Sequence, residues 1–238
     1  MAEVRGVQLL GAVIVVLMFA SLFASAFAFA AGVSEGANIP AKQASVSERA
    51  RLVQVFGQCE DKESTKERVL CRLRKFKLAG LRVEGVRAVA VAGVTPEACK
   101  RLAERVSGQG RLTRAQCKDF YRKVSPCFEK QGRAKVACFR RISGLGVAAA
   151  SLKAKGNGKA EAIGKYVVSL LYELEERIEK KVDDGVISEE QAADVVSLII
   201  EIKEKILDGA PRSEVKPMLA ELRSKLKELK RSAQNAQV

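Results

Sequence analysis

The chain has 238 residues, enough for one large domain or two small ones. Apolar residues make up 47% of it, so it can bury a core, whereas aromatics are 5% and Trp is absent. There is no His, which excludes Ser–His–Asp and Cys–His nucleophile systems, His-ligated zinc or haem, and imidazole base catalysis. Lys plus Arg number 42 against 28 Asp plus Glu, a net charge of +14. The excess lies in residues 34–155, with 27 basic and 11 acidic side chains; residues 156–238 hold 14 and 16. This asymmetry predicts two domains with different surfaces, the basic one attracting nucleic acid, anionic lipid or acidic glycan.

Residues 1–31 read as an export element. Gly6 to Ser34 is a run of 29 residues without a charge, preceded by Arg5. Val7 to Phe23 is strongly apolar, and Ala24-Ser-Ala-Phe-Ala-Phe-Ala30 offers three overlapping A-x-A cleavage patterns. A cleaved signal peptide fits that pattern. An uncleaved anchor over residues 7–31 fits the length, since about 20 apolar residues span a bilayer. With Arg5 inside, the rest of the chain lies outside in either case: extracellular, periplasmic or in an envelope. Residues 32–44 form a spacer.

A basic, Cys-containing domain is expected over 45–155. Ser45-x-x-Glu48 opens a helix that ends near Cys59, and the capping box Ser64-x-x-Glu67 opens another that holds Cys71. Val69, Leu70, Leu73, Phe76 and Leu81 recur at helical spacing, with Arg68, Arg72 and Lys75 on another face. That pattern could run to residue 92, but Gly80 and Gly85 predict that it ends or bends. Val86–Ala92 also fits a strand by pattern. Thr95 reads as an N-cap with Pro96 at the first helical position, and Ser107–Gly110 as the stop of that helix. Thr113-x-x-Gln116 opens the next helix. Gly132 interrupts a helical pattern between Cys127 and Cys138.

The six cysteines are Cys59, Cys71, Cys99, Cys117, Cys127 and Cys138. An even count behind an export signal predicts three disulfides. There is no C-x-x-C and no His, so a zinc or redox reading is weak. Six Cys allow 15 pairings. The helix-turn-helix signals between neighbours favour 59–71, 99–117 and 127–138, each stapling a hairpin. FGQCEDKESTKERVLCRLRKF and VSPCFEKQGRAKVACFRRI also look alike, a weak internal duplication.

Gly144-Leu-Gly-Val-Ala-Ala149 matches G-x-G-x-x-A, but an Arg-rich helix precedes it instead of an apolar strand, so no dinucleotide site is expected. No P-loop is present. Residues 153–159 (KAKGNGK) read as a hinge or an interhelical loop.

Over 159–233 a three-helix bundle or coiled-coil domain is expected. The first helix, 159–182, places Ile163, Tyr166, Val167, Leu170, Leu174 and Ile178 on one face. Its Glu173/Arg177 and Glu176/Lys180 are spaced as surface i, i+4 pairs. Ser188-x-x-Gln191 caps the second, whose stripe is Ala192, Val195, Val196, Ile199, Ile202 and Ile206. The third, 212–233, tolerates Pro217 only within its first turn. Its stripe of Val215, Leu219, Leu222, Leu226, Leu229 and Ala233 steps by 4, 3, 4, 3, 4, a heptad seam that could dock another chain. Asp183–Glu190 lacks the upstream oxygen ligands of a calcium loop.

The fold class expected is therefore all-α, disulfide-stapled helical hairpins followed by an antiparallel three-helix bundle. The function expected is that of an exported, non-enzymatic envelope or cell-surface protein acting through protein–protein contacts. No nucleophile stands beside a base, and no metal or cofactor is expected. The partner would be a protein at the cell surface, with oligomer contacts through the 215–233 seam. The alternative is a polyanion-binding module for nucleic acid, acidic glycan or an anionic membrane, through Arg68, Arg72, Arg74, Lys75, Lys77, Arg122, Lys123, Arg140 and Arg141.

Overall fold

The computed structural model describes residues 46–81, 85–104, 111–145 and 157–235. The export element, the spacer, the 107–110 stop, residues 146–149 of the glycine motif and residues 153–156 of the hinge lie outside the described residues. Helices α1 (Val46–Gln58), α2 (Thr65–Leu78), α3 (Gly85–Ala92), the single turn α4 (Glu97–Lys100), α5 (Arg114–Val124) and α6 (Gly132–Ile142) come first. Then follow α7 (Asn157–Asp183), α8 (Glu189–Leu207) and α9 (Arg212–Asn235), with a 3-10 turn at Ser125–Cys127 between α5 and α6. There is no strand among the described residues, and the chain is all-α.

Local signals set most helix boundaries. Three of the four capping signals form in both directions, Ser64 with Glu67, Thr113 with Gln116, and Ser188 with Gln191; Ser45 of the fourth lies outside the described residues. Each of the three satisfies two backbone donors that a helix start would otherwise leave open. The helix from Ser64 ends rather than bends. Gly80 takes a φ of +64°, and the Leu81 N–H closes back on the Phe76 carbonyl at 3.0 Å. This left-handed stop needs glycine. Residues 85–92 then form a new helix, not a strand.

Two boundaries differ from expectation. Pro96, with ψ 143°, is itself the residue before α4, and no side chain caps it. The helix stops after one turn because Leu102 turns into the core and the Ala103 carbonyl accepts instead from the Arg114 N–H at 3.0 Å. Pro217 lies inside α9, beyond its first turn, since the helix already starts at Arg212.

Helix α8 is the centre of the fold. It packs on α2, α7, α9 and α4. Its predicted stripe is buried except Ile206, and so are Ala193, Leu198, Ile200 and Leu207 beyond that stripe. A helix apolar on all sides must be covered on all sides. Here α7 and α9, joined to it by short turns, form the antiparallel unit, and α2 from the basic half closes another side. Residues Gln43–Val238 form one compact unit. Glycine at 164 allows α7 to approach α8: a Cβ there would lie 3.2 Å from Ile206 Cγ2.

Candidate anion-contact surface and a buried ionic cluster

Three disulfides join Cys59–Cys71, Cys99–Cys117 and Cys127–Cys138, with Cα separations of 5.7, 5.6 and 5.7 Å. These are the pairings expected from the hairpin signals, and the separations are ordinary for unstrained bridges. The first ties the end of α1 into α2. The second ties α4 to α5, and the third ties the 3-10 turn to α6. Three disulfides in one helical domain belong to an oxidising compartment. Buried aromatic rings pair in the same region: Phe56 meets Phe76 edge-on at 5.6 Å, Phe128 meets Phe139 at 5.6 Å, and Tyr121 meets Tyr172 at 5.0 Å.

The nine basic residues expected to contact a polyanion do not form one surface. Arg68 is engaged with Glu97 at 2.6 Å and with the Lys62 carbonyl at 2.8 Å. Arg72 is buried, its guanidinium donating to Glu179. It therefore faces the core rather than sharing an exposed face with Arg68 and Lys75. Arg74 pairs with Glu190, and Lys77 with Glu189 at 2.7 Å. These pairs lower the affinity of both carboxylates for protons. They fasten α2 to the N-terminus of α8. Lys75 is half-buried. Arg122 and Lys123 share the single carboxylate of Asp119, at 2.7 and 2.6 Å. Arg140 and Arg141 are exposed and have no ion-pair partner among the described residues.

The last two belong to a basic surface that the sequence reading only touched. Residues 111–145, the α5–α6 hairpin, carry 10 basic and 2 acidic side chains. Lys118, Lys130 and Arg133 are exposed there as well, again without an ion pair among the described residues. Helical geometry explains the exposure. On α5, Cys117, Phe120, Tyr121 and Val124 fill the inner face, so Lys118 and Arg122, four residues apart, share an outer one. On α6, Cys138 and Phe139 point inward, and Arg133, Val136 and Arg140 lie along the outside. The plain density of Lys and Arg between Cys117 and Arg141 was the available signal.

A second assembly, inside the protein, was not expected. Glu173, Glu175, Glu176 and Glu179 of α7 are all buried, although an amphipathic reading puts them on the solvent face. Arg72 from α2 donates to Glu179 and lies 3.8 Å from Glu175. Lys203 from α8 donates to Glu175, and its ammonium sits 3.9 Å from the centre of the Tyr172 ring. Lys135 from α6 donates to Glu173 at 2.8 Å, beside Arg177 at 2.9 Å. Burial works against the Arg72 charge, but Glu179 and Glu175 outweigh it and hold its affinity for a proton above the ordinary value. Burial dominates at Lys203 and pushes its pKa down despite Glu175. Burial likewise raises the pKa of Tyr121 and Tyr172. Each cation comes from a different helix, so the cluster registers α2, α6 and α8 against α7.

A smaller polar cluster lies where α2, α4 and α8 meet. Glu97 accepts from Arg68 and from Lys100 at 2.8 Å, and Thr65 Oγ1 accepts from Arg68 at 3.1 Å and Arg101 at 2.9 Å. Among the described residues Glu204 pairs only with Arg101, at 3.7 Å. Burial, with Glu97 and Glu201 nearby, pushes the Glu204 carboxyl up to about 7 against the opposing pull of Arg101.

An open cleft of ≈ 580 Å³ lies between α5 and the ends of α6 and α7. Its charged lining residues include the paired sets Asp119–Lys123 and Glu161–Lys165. Among the described residues no group of three or more His, Cys, Asp or Glu is placed to hold a metal ion. No helix of the described residues is long and apolar enough to cross a membrane. No protein-family model, curated protein or solved structure matches the chain.

Proposed function

We propose that this is an exported, non-enzymatic helical protein that acts by surface contact, and that its principal contact is with an anionic partner through the α5–α6 hairpin. One observation carries the reading. Lys118, Lys130, Arg133, Arg140 and Arg141 are exposed and without an ion pair among the described residues, on a stretch with only two carboxylates, whereas the bases of α2 are mostly consumed by carboxylates of α4, α7 and α8. Disulfides at Cys99–Cys117 and Cys127–Cys138 hold the hairpin in shape before any partner arrives, which reduces the ordering cost of binding.

The test is binding of the folded chain to heparin, duplex DNA and anionic vesicles at rising salt. Electrostatic contact predicts affinity that falls steeply, on the order of tenfold or more between 50 and 200 mM salt for several neutralised charges. Absence of binding to all three, or binding indifferent to salt, would refute the reading.

A second reading is a protein partner on α9, favoured by one observation. Val215, Leu222 and Ala233 of the heptad seam are buried in the fold, but Leu219, Leu226 and Leu229 are only half-buried. Sedimentation of the wild type beside L226Q/L229Q separates the cases: an oligomer that the variant abolishes supports the seam, and a monomer in both removes self-association through it.

A further inference from the structure

We infer that the outer face of the α5–α6 hairpin is a docking surface for the anionic headgroups of a phospholipid bilayer. The inference rests on the anionic-contact reading and names its partner. Three features favour a lipid surface, the first two of them against a single-stranded nucleic acid.

The first is shape. A single-stranded polymer is usually held in a positive groove that tracks its backbone. The sizeable cleft beside the hairpin is not such a groove, because Asp119 and Glu161 lie in its wall beside Lys123 and Lys165. The bases without an ion pair among the described residues stand instead on helix surfaces, Lys118 on α5 and Arg133, Arg140 and Arg141 on α6, with Lys130 in the turn between the two helices. The second is the placement of aromatic rings. Bases of a nucleic acid stack on exposed rings, yet Phe120, Tyr121, Phe128 and Phe139 of the hairpin are all buried. The third is the α6 outer face itself. Val136, 40% exposed, lies between Arg133 one turn before and Arg140 one turn after. An apolar side chain flanked by arginines suits a headgroup boundary, where the arginine stems lie along apolar surface and the guanidinium groups reach phosphate.

The experiment measures partitioning of the full disulfide-bonded chain into phosphatidylglycerol–phosphatidylcholine vesicles and into pure phosphatidylcholine vesicles. Insertion of the uncharged run 6–34 would contribute to both vesicle types, so the quantity read is the ratio between them. The parent chain should prefer the anionic vesicles, and the preference should fade as salt shortens the screening length from about 10 Å at 0.1 M to about 3 Å at 1 M. Each base near such a surface contributes roughly fivefold, so R133Q/R140Q/R141Q should lose on the order of a hundredfold of the preference. K216Q/K227Q, on exposed positions of α9, should keep it. Unchanged helicity and three closed disulfides in each variant show that folding is intact.

A triple variant that keeps the parent's preference would overturn the inference. Equal binding to both vesicle types would also overturn it, and if heparin or DNA were then bound in a salt-dependent way the broader anionic-contact reading would stand alone. Binding to none of these probes would remove both.

Discussion

Replacing Arg72 with Met tests whether the ionic cluster is buried as described. The side chain is 7% exposed, and its partner Glu179 is 0% exposed. Arg72→Met keeps most of the side-chain volume and removes the only charge that α2 contributes there. Glu175 retains Lys203, so what is lost is mainly the buried Arg72–Glu179 pair. The separation from Glu175 is 3.8 Å, at which a unit pair attracts by about 4 kcal/mol at an effective dielectric constant of 20. Removing one member of a buried pair leaves the other desolvated and costs about 3–5 kcal/mol. A chain of this size loses roughly 2–4 °C of Tm per kcal/mol, so the midpoint should fall by roughly 6–20 °C. Denaturant unfolding with the disulfides closed measures the difference directly. A double-mutant cycle with Glu179→Gln should recover much of it, with a coupling energy of about 2 kcal/mol or more. A loss below about 1 kcal/mol with negligible coupling is what a solvated surface pair gives, and would refute the burial of this cluster and its role in registering the helices.

Further expectations follow from other parts of the fold. Opening one staple as C59A/C71A, C99A/C117A or C127A/C138A should cost about 3 kcal/mol each, from loops spanning 12, 18 and 11 residues. Reversible unfolding of each pair variant reads this, and a loss near zero would mean that the bridge constrains nothing. Glu204, raised from 4.5 to about 7, binds a proton more tightly folded than unfolded. Its stabilising contribution is complete below about pH 4.5 and is lost as pH rises through 7. Glu204→Gln should therefore be more stable than the wild type near pH 8 and should flatten the decline between about pH 5 and 8, on the order of 1 kcal/mol after solvent screening; parallel stability curves for the two proteins would contradict it. Ser188→Ala should cost roughly 1 kcal/mol by opening the α8 capping box, and a Ser188→Asp variant that fails to restore stability would show that the cap is not the cause. Gly164→Val should destabilise by roughly 1–3 kcal/mol through its clash with Ile206, which thermal unfolding would show and an unchanged Tm would contradict.

Features encoded over a few residues were legible in the sequence. A capping box needs only a hydroxyl and a Glu or Gln three positions on, and the three that lie wholly within the described residues form. The disulfide pairing was legible for a related reason: each pair brackets a local helix reversal, so the nearest partner is also the one the turn delivers. What could not be read locally was the fate of charges whose partners are far away in the chain. Glu179 meets Arg72 across a separation of 107 residues, and nothing near either residue announces the other. A signal did exist at Arg72. Its spacing of three from Val69 and four from Phe76 places it on the apolar stripe of α2, and both neighbours are buried. At α8, the run Val195-Val-Ser-Leu-Ile-Ile200 is too apolar for a helix with one wet face, a signal for a covering element beyond α7 and α9 that the one-sided stripe left unread. The α5–α6 surface was half-legible: Arg122, Lys123, Arg140 and Arg141 were singled out, whereas Lys118, Lys130 and Arg133 were not. Which of many basic residues remain unpaired depends on tertiary carboxylates, and those gather on α2's neighbours rather than on the hairpin.

On the proposed function, this chain works outside the reducing cytosol as a disulfide-stapled helical protein. The most direct test is the mass of the intact protein from its native source, alkylated with and without prior reduction, followed by non-reducing peptide mapping. The account predicts no alkylation before reduction, six alkylated cysteines after it, and cross-linked peptides joining Cys59 to Cys71, Cys99 to Cys117 and Cys127 to Cys138. Six thiols alkylated without reduction would contradict it and return the protein to a reducing compartment.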